Sequence, residues 1–228
     1  MIVIRSERLR RVLRRVVPFI VVPALALSGA VLAERGQYAL VISLACAASF
    51  LLFAAGFERK RTGARRLVVV SVMTALAVAG RFIPLVKPVA ALTIISALYL
   101  GGEAGFLTGA LTALISNFYF GQGPWTAFQM TAWGLVGLIA GLLAAPLRKN
   151  RALLLLYGLL SGIGYSMIMD VWTVLWYGRG FSLPLYLAAL GTALPHTALY
   201  AASNVIYLAL FARPFGEKLE RLRVKYGI

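Results

Sequence analysis

Few side chains in this 228-residue sequence are equipped for chemistry, and long apolar stretches separate them. Asp170, in SMIMDVWTVLW, is the one carboxylate set inside an apolar run, and His196 is the single histidine. A carboxylate and an imidazole suit general acid–base work, so a membrane enzyme acting on a lipid-linked substrate through Asp170 and His196 is one reading. The rest of the inventory speaks against it. There is no phosphate-cradling GxxxxGK[ST], no HExxH, no GxSxG and no acidic metal cluster. The other six acidic residues fall in loops or tails, and the single cysteine, Cys46, allows neither a disulfide within the chain nor a Cys-based metal site. No catalytic residue, resident metal or cofactor is expected. What remains suits binding: the cations Arg81 and Lys87, the amides Asn117, Gln122, Gln129 and Asn204, the rings Tyr119, Trp125, Trp133 and Trp172, and Asp170 with His196.

The elements that hold these residues are read from the apolar runs. The chain is 61% hydrophobic and 13% charged, where soluble domains carry about a quarter charged residues. Uncharged runs at 16–33, 36–57, 104–147 and 180–212 approach or exceed the roughly 18–20 residues that cross a hydrocarbon core. The fold class is therefore all-α, a polytopic helical membrane protein; the runs lack the alternation of a β-barrel. Cutting at the polar breaks predicts spans near 16–33, 37–57, 67–83, 88–101, 104–119, 127–147, 152–176 and 194–212. Three regions follow: a basic tail, helix pair and basic loop over 1–66, a six-helix core over 67–212, and a basic tail over 213–228. The apolar stretch after the basic N-terminus is longer than a usual signal-peptide core, so it reads as a retained helix.

The net charge of +16 is a topology signal. With the N-terminus in the cytoplasm, nineteen of the 23 basic residues fall on the inner side and only Arg35, Arg81, Lys87 and Arg179 outside. That bias orients the protein with both termini cytoplasmic in a bacterial cell (inner) membrane, with contact to membrane lipid as a by-product. No nucleic-acid recognition motif accompanies the charge, and no nucleic-acid partner is expected.

Helix rise converts position into depth. Asp170 is nineteen residues from Arg151, roughly 28 Å, and Asn117 is fourteen from Glu103, roughly 21 Å. Arg81, Gln129, Trp133 and His196 reach the same outer level, with Asn204 about two turns deeper. Polar groups at membrane depth line a cavity or pair with one another. An outward pocket with an apolar floor is expected, at the large end of a few hundred to 1,000 Å³. Each residue keeps a structural alternative. Asp170 pairs with Arg179 or Arg81, His196 caps a helix, the Trp residues form an interfacial belt, and Asn117 and Gln122 hold a loop together. The insert in NFYFGQGPWTAFQMTAWG reads as an external lid, with Gly121 and Gly123 supplying unusual backbone angles and Pro124 stiffening the turn.

Glycines four apart at 105/109, 137/141 and 158/162 suit close helix packing in lipid. Ser71, Ala75 and Ala79 make a similar smooth stripe, for internal packing or for docking a partner.

The stretches VKPVAALTIISALYLGGEAGFLTGAL, SNFYFGQGPWTAFQMTAWGLVGLIAG and MDVWTVLW resemble an S component, the substrate-binding membrane subunit of an energy-coupling factor vitamin transporter. They look most like the cobalamin type. The resemblance covers residues 67–212 and implies a six-helix S-component core, here with about two extra N-terminal helices. It also implies capture of a vitamin from outside, cobalamin or a related corrinoid as the first expectation. Riboflavin, thiamine, pantothenate or a queuosine-like compound is the alternative. It further implies docking of the Ala75/Ala79 stripe on a transmembrane coupling subunit, with ATP hydrolysed by two partner ATPase subunits.

Overall fold

The computed structural model describes residues 6–32, 43–45, 47–48, 63–84, 87–177 and 181–227. All regular structure among them is helical. The predicted span 37–57, with Cys46, falls largely outside the described residues.

Helix α1 (Glu7–Val16) starts where the Ser6 hydroxyl accepts the Leu9 N–H at 3.3 Å. Pro18 cannot donate a backbone hydrogen bond, and the chain widens into a π-helical stretch over Val17–Val21 before α2 (Val22–Leu32). The core follows as α3 (Gly63–Arg81), α4 (Val89–Leu100), α5 (Gly102–Phe120), α6 (Trp125–Leu142), the short α7 (Ala144–Lys149), α8 (Arg151–Tyr177) and α9 (Leu183–Tyr226). Helices α6, α8 and α9 are each long and apolar enough to cross a membrane.

Helix α4 is the axle. Its sequence VAALTIISALYL is apolar on every side, eleven of its twelve residues are buried, and α3, α5, α6 and α9 pack around it. Glycine brings the surrounding helices close. A Cβ on Gly105 would collide with Ala97 of α4, one on Gly137 with the Gly105 backbone of α5, and one on Gly162 would stand 2.6 Å from the Ala201 nitrogen of α9. All three glycine pairs thus serve packing within the bundle. Helix α2 packs on α6 and α8, whereas α3 packs on α4 and α5. On α3, Val70, Met73, Thr74 and Ala77 are buried, and Ser71, Ala75 and Ala79 are exposed.

The last helix departs from expectation at both ends. It begins at Leu183 rather than near 194 and passes through Pro195 and Pro214 to Tyr226. The tail at 213–228 is therefore largely helical. Gly216 sits against the Tyr99 ring and Leu219 is buried, which ties this segment to the end of α4.

The bundle has a basic end. There Arg14 pairs with Glu103, Arg66 donates to the Leu100 carbonyl, Arg148 meets Glu220 at 2.9 Å, and Arg151 donates to the Ala209 carbonyl at 3.2 Å.

Candidate functional site

At the opposite end lies a cavity of about 390 Å³. Arg81 closes α3, Lys87 precedes α4, Phe120 ends α5 and Gln129 sits one turn into α6. Tyr165, Ser166, Met169 and Asp170 come from α8, and Ala193, His196 and Tyr200 from α9. Residues three to five apart bring each of these groups onto one helix face.

Stacked rings form one wall. Trp133, fully buried, lies 4.9 Å from Tyr165 at an interplanar angle of 6°. Tyr165 lies 4.9 Å from Tyr200, and His196 lies 4.7 Å from Tyr200. A ladder so packed presents flat, rigid faces to whatever enters.

Polar groups are arranged around Asn117, which is 1% exposed. Its carbonyl oxygen accepts from Arg81 Nη1 at 2.8 Å, and its amide donates to Thr126 Oγ1 and Gln129 Oε1, both at 2.8 Å. Gln129 Nε2 then donates to the Tyr165 hydroxyl at 3.2 Å. One short amide thereby orients a guanidinium, a second amide and a ring of the ladder. Arg81 also donates to Ser116 and lies over the rings of Phe120 at 4.6 Å and Trp133 at 5.2 Å. Among the described residues no carboxylate pairs with it. The Lys87 ammonium stands 3.5 Å from the Arg81 carbonyl, adding a second positive charge.

Asp170 faces these cations without joining them. It is 7% exposed, in no ion pair among the described residues, and its Oδ2 has no hydrogen-bond partner. The alternative pairing with Arg81 is not formed, and Arg179 is outside the described residues. Two cations, one open carboxylate and a ring wall can bind a planar ligand that offers both acceptors and donors.

Of the twelve residues singled out by sequence, Arg81, Lys87, Gln129, Asp170 and His196 line the cavity, with Asn117 and Trp133 directly behind them. Five lie elsewhere. Tyr119 is 74% exposed and packs on Phe82 at 4.7 Å. Gln122 donates to the Leu114 carbonyl at 2.8 Å. The Trp125 ring folds onto Gly123, where no Cβ fits, and meets Trp172 at 6.5 Å in a cluster with Ala26 of α2. Asn204 donates to the Gly158 carbonyl at 3.1 Å between α8 and α9.

The insert is thus a tight turn rather than a lid. Gly121 takes a φ of 101°, Gly123 makes room for a ring instead of turning the backbone, and of the insert only Phe120 and Gln129 reach the cavity. The cavity is also smaller than expected, because Trp133, Tyr165 and Tyr200 fill the space by stacking on one another. Sequence reasoning missed Tyr165, Ser166, Met169, Ala193 and Tyr200. Helical spacing from Asp170 back to Tyr165 and from His196 on to Tyr200 was the available signal.

A search of curated proteins and one of solved structures found no match. The family model of the ECF-type riboflavin transporter S component matches residues 61–217. That interval runs from α3 to the first turn beyond Pro214 in α9, and it leaves out α1 and α2. The match lends no support to the cobalamin type specifically. Spanning well over half of the sequence, it shows that the chain belongs to the S-component family of ECF-type riboflavin transporters.

Proposed function

We propose that this S component captures a flavin, riboflavin itself, in the cavity between Arg81 and Asp170. The observation that carries this reading is the cavity: about 390 Å³ walled by Tyr165 and Tyr200, with Trp133 stacked behind Tyr165, and by polar groups of both hydrogen-bonding senses. A fused three-ring ligand fits that space and those flat walls. A corrinoid, several times larger, does not, so cobalamin gives way to riboflavin, which the name of the matching family also favours. In this reading Arg81 and Lys87 meet ring carbonyls, and Asp170 accepts from a ring N–H or a side-chain hydroxyl.

The cavity end faces outward and the basic end faces the cytoplasm, following the excess of basic residues. Uptake is then completed by a transmembrane coupling subunit, docked on the exposed Ser71/Ala75/Ala79 stripe, and by two ATPase subunits. The protein binds and carries; it performs no bond chemistry.

Titration of the detergent-purified protein with riboflavin, thiamine, pantothenate and cobalamin tests the assignment. Riboflavin is expected to bind one to one with its fluorescence strongly quenched by the ladder, and the other three not to bind. Binding of any of those three without riboflavin would sink the flavin assignment and leave the family membership standing.

A further inference from the structure

A second cavity, of about 620 Å³, lies at the basic end between α3 and the part of α9 beyond Pro214. It shares no residue with the site above. Val68, Val72 and Leu76, one helical turn apart and all exposed, form one wall; Leu219 and Leu222 form the other. Its two charged lining residues are both cations, Arg65 and Lys218. Arg65 donates to the Tyr226 carbonyl at 3.1 Å, which holds the guanidinium at one end of the groove. The nearby acids are engaged elsewhere: Glu217 by Arg213, and Glu220 by Arg148 and Arg223. Among the described residues Lys218 is in no ion pair.

The dimensions identify the occupant. From Arg65 to Leu76 the helix rises roughly 16 Å, half of a ~30 Å hydrocarbon core. The cations therefore stand at headgroup level and the apolar walls run to about the bilayer midplane. Apolar walls of that length, with cations only at the headgroup end, suit one extended hydrocarbon chain carrying an anionic head. We propose that this groove is a binding site for an anionic phospholipid of the inner leaflet, one acyl chain lying between α3 and α9 and the phosphate held by Arg65 and Lys218. Attraction of an anionic headgroup to juxtamembrane basic residues supplies the selectivity. The site stands whichever vitamin the outer cavity takes. Val72 and Ala75, and Leu76 and Ala79, are neighbours on the helix, so the seated lipid borders the exposed small-residue stripe.

Native mass spectrometry of the full chain, released from mixed micelles holding equal phosphatidylglycerol and phosphatidylcholine of one chain length, tests this. The expected result is one retained phosphatidylglycerol, preferred roughly ten-fold over phosphatidylcholine. The double variant Arg65→Gln/Lys218→Gln should keep one lipid and lose the preference. Val72→Trp, which fills the groove, should lose both lipids. Equal retention of the two lipids by the unmodified protein overturns the proposal, as does an unchanged preference in the double variant. Displacement of the lipid by soluble glycerol phosphate would reveal a simple anion site and overturn the acyl-chain assignment, and a dimer in place of a lipid adduct would do the same. Should Val72→Trp fail to fold, the double variant decides alone, since both of its residues are exposed.

Discussion

Asp170 carries a charged group whose surroundings are incomplete. A buried acceptor left without a partner costs about 1–3 kcal/mol, and Oδ2 of Asp170 is such an atom. A ligand N–H or O–H arriving there removes that penalty, so the cost borne by the empty protein becomes part of the affinity. Asp170→Asn should therefore weaken riboflavin binding by about ten-fold or more and leave the melting temperature of the empty protein unchanged or slightly higher. Fluorescence titration and a thermal melt on the same preparation read both. A lower melting temperature with unchanged affinity would make Asp170 structural. Asn117 differs in kind: three side chains hang on it within the protein, so it orients the wall rather than completing it. Amides and charges at membrane depth were visible in the sequence because they are costly there. Tyr165 and Tyr200 were not, because a tyrosine in an apolar run looks the same on either side of a helix.

Among the elements, and in the docking proposed above, α3 carries the surface that would separate a transporter subunit from a stand-alone receptor. Its exposed stripe of Ser71, Ala75 and Ala79 presents little side chain, and Ser71 turns its hydroxyl back to the Leu67 carbonyl at 2.9 Å. Without a hydrophobic drive between helices in lipid, close van der Waals fit must hold a partner there. Ala75→Trp or Ala79→Trp should leave riboflavin binding by the isolated subunit within about two-fold, because an exposed ring is well solvated by lipid. The same variants should abolish copurification with the coupling subunit and ATP-driven uptake in proteoliposomes. Full uptake by either variant would show that the stripe does not dock. The glycine stripes were legible as spacing, yet their pairing was not: nothing in Gly137 itself says that Gly105 lies opposite. Both ends of α9, before 194 and after 212, were obscured by Pro195 and Pro214, which end helices in water and are carried through here.

For the whole molecule, α2 lies outside the interval matched by the family and against the Trp125–Trp172–Phe128 cluster of α6 and α8. Lipid tails can replace it on those rings at little cost, since no hydrophobic gain separates a helix from lipid. A chain beginning at residue 63 should insert, bind riboflavin within about three-fold of the full chain, and melt roughly 2–8 °C lower, the equivalent of one to two kcal/mol at this size. Loss of binding in a truncated protein that still inserts would make the N-terminal helices part of the receptor. Most helices from α3 to α9 were readable as apolar runs broken by charge or by the glycine-bearing insert. The tight turn at 121–124 and the size of the cavity were not, since both depend on how rings pack across helices far apart in sequence.

The enclosure of α4 limits how such a molecule can move. A helix held by four neighbours cannot slide against one without losing its fit to the other three. The bundle should therefore change its attitude in the bilayer as one piece, like a nut turning with its bolt. Internal give is left to the segments outside that grip: the turn at 121–124 and the part of α9 that precedes Pro195.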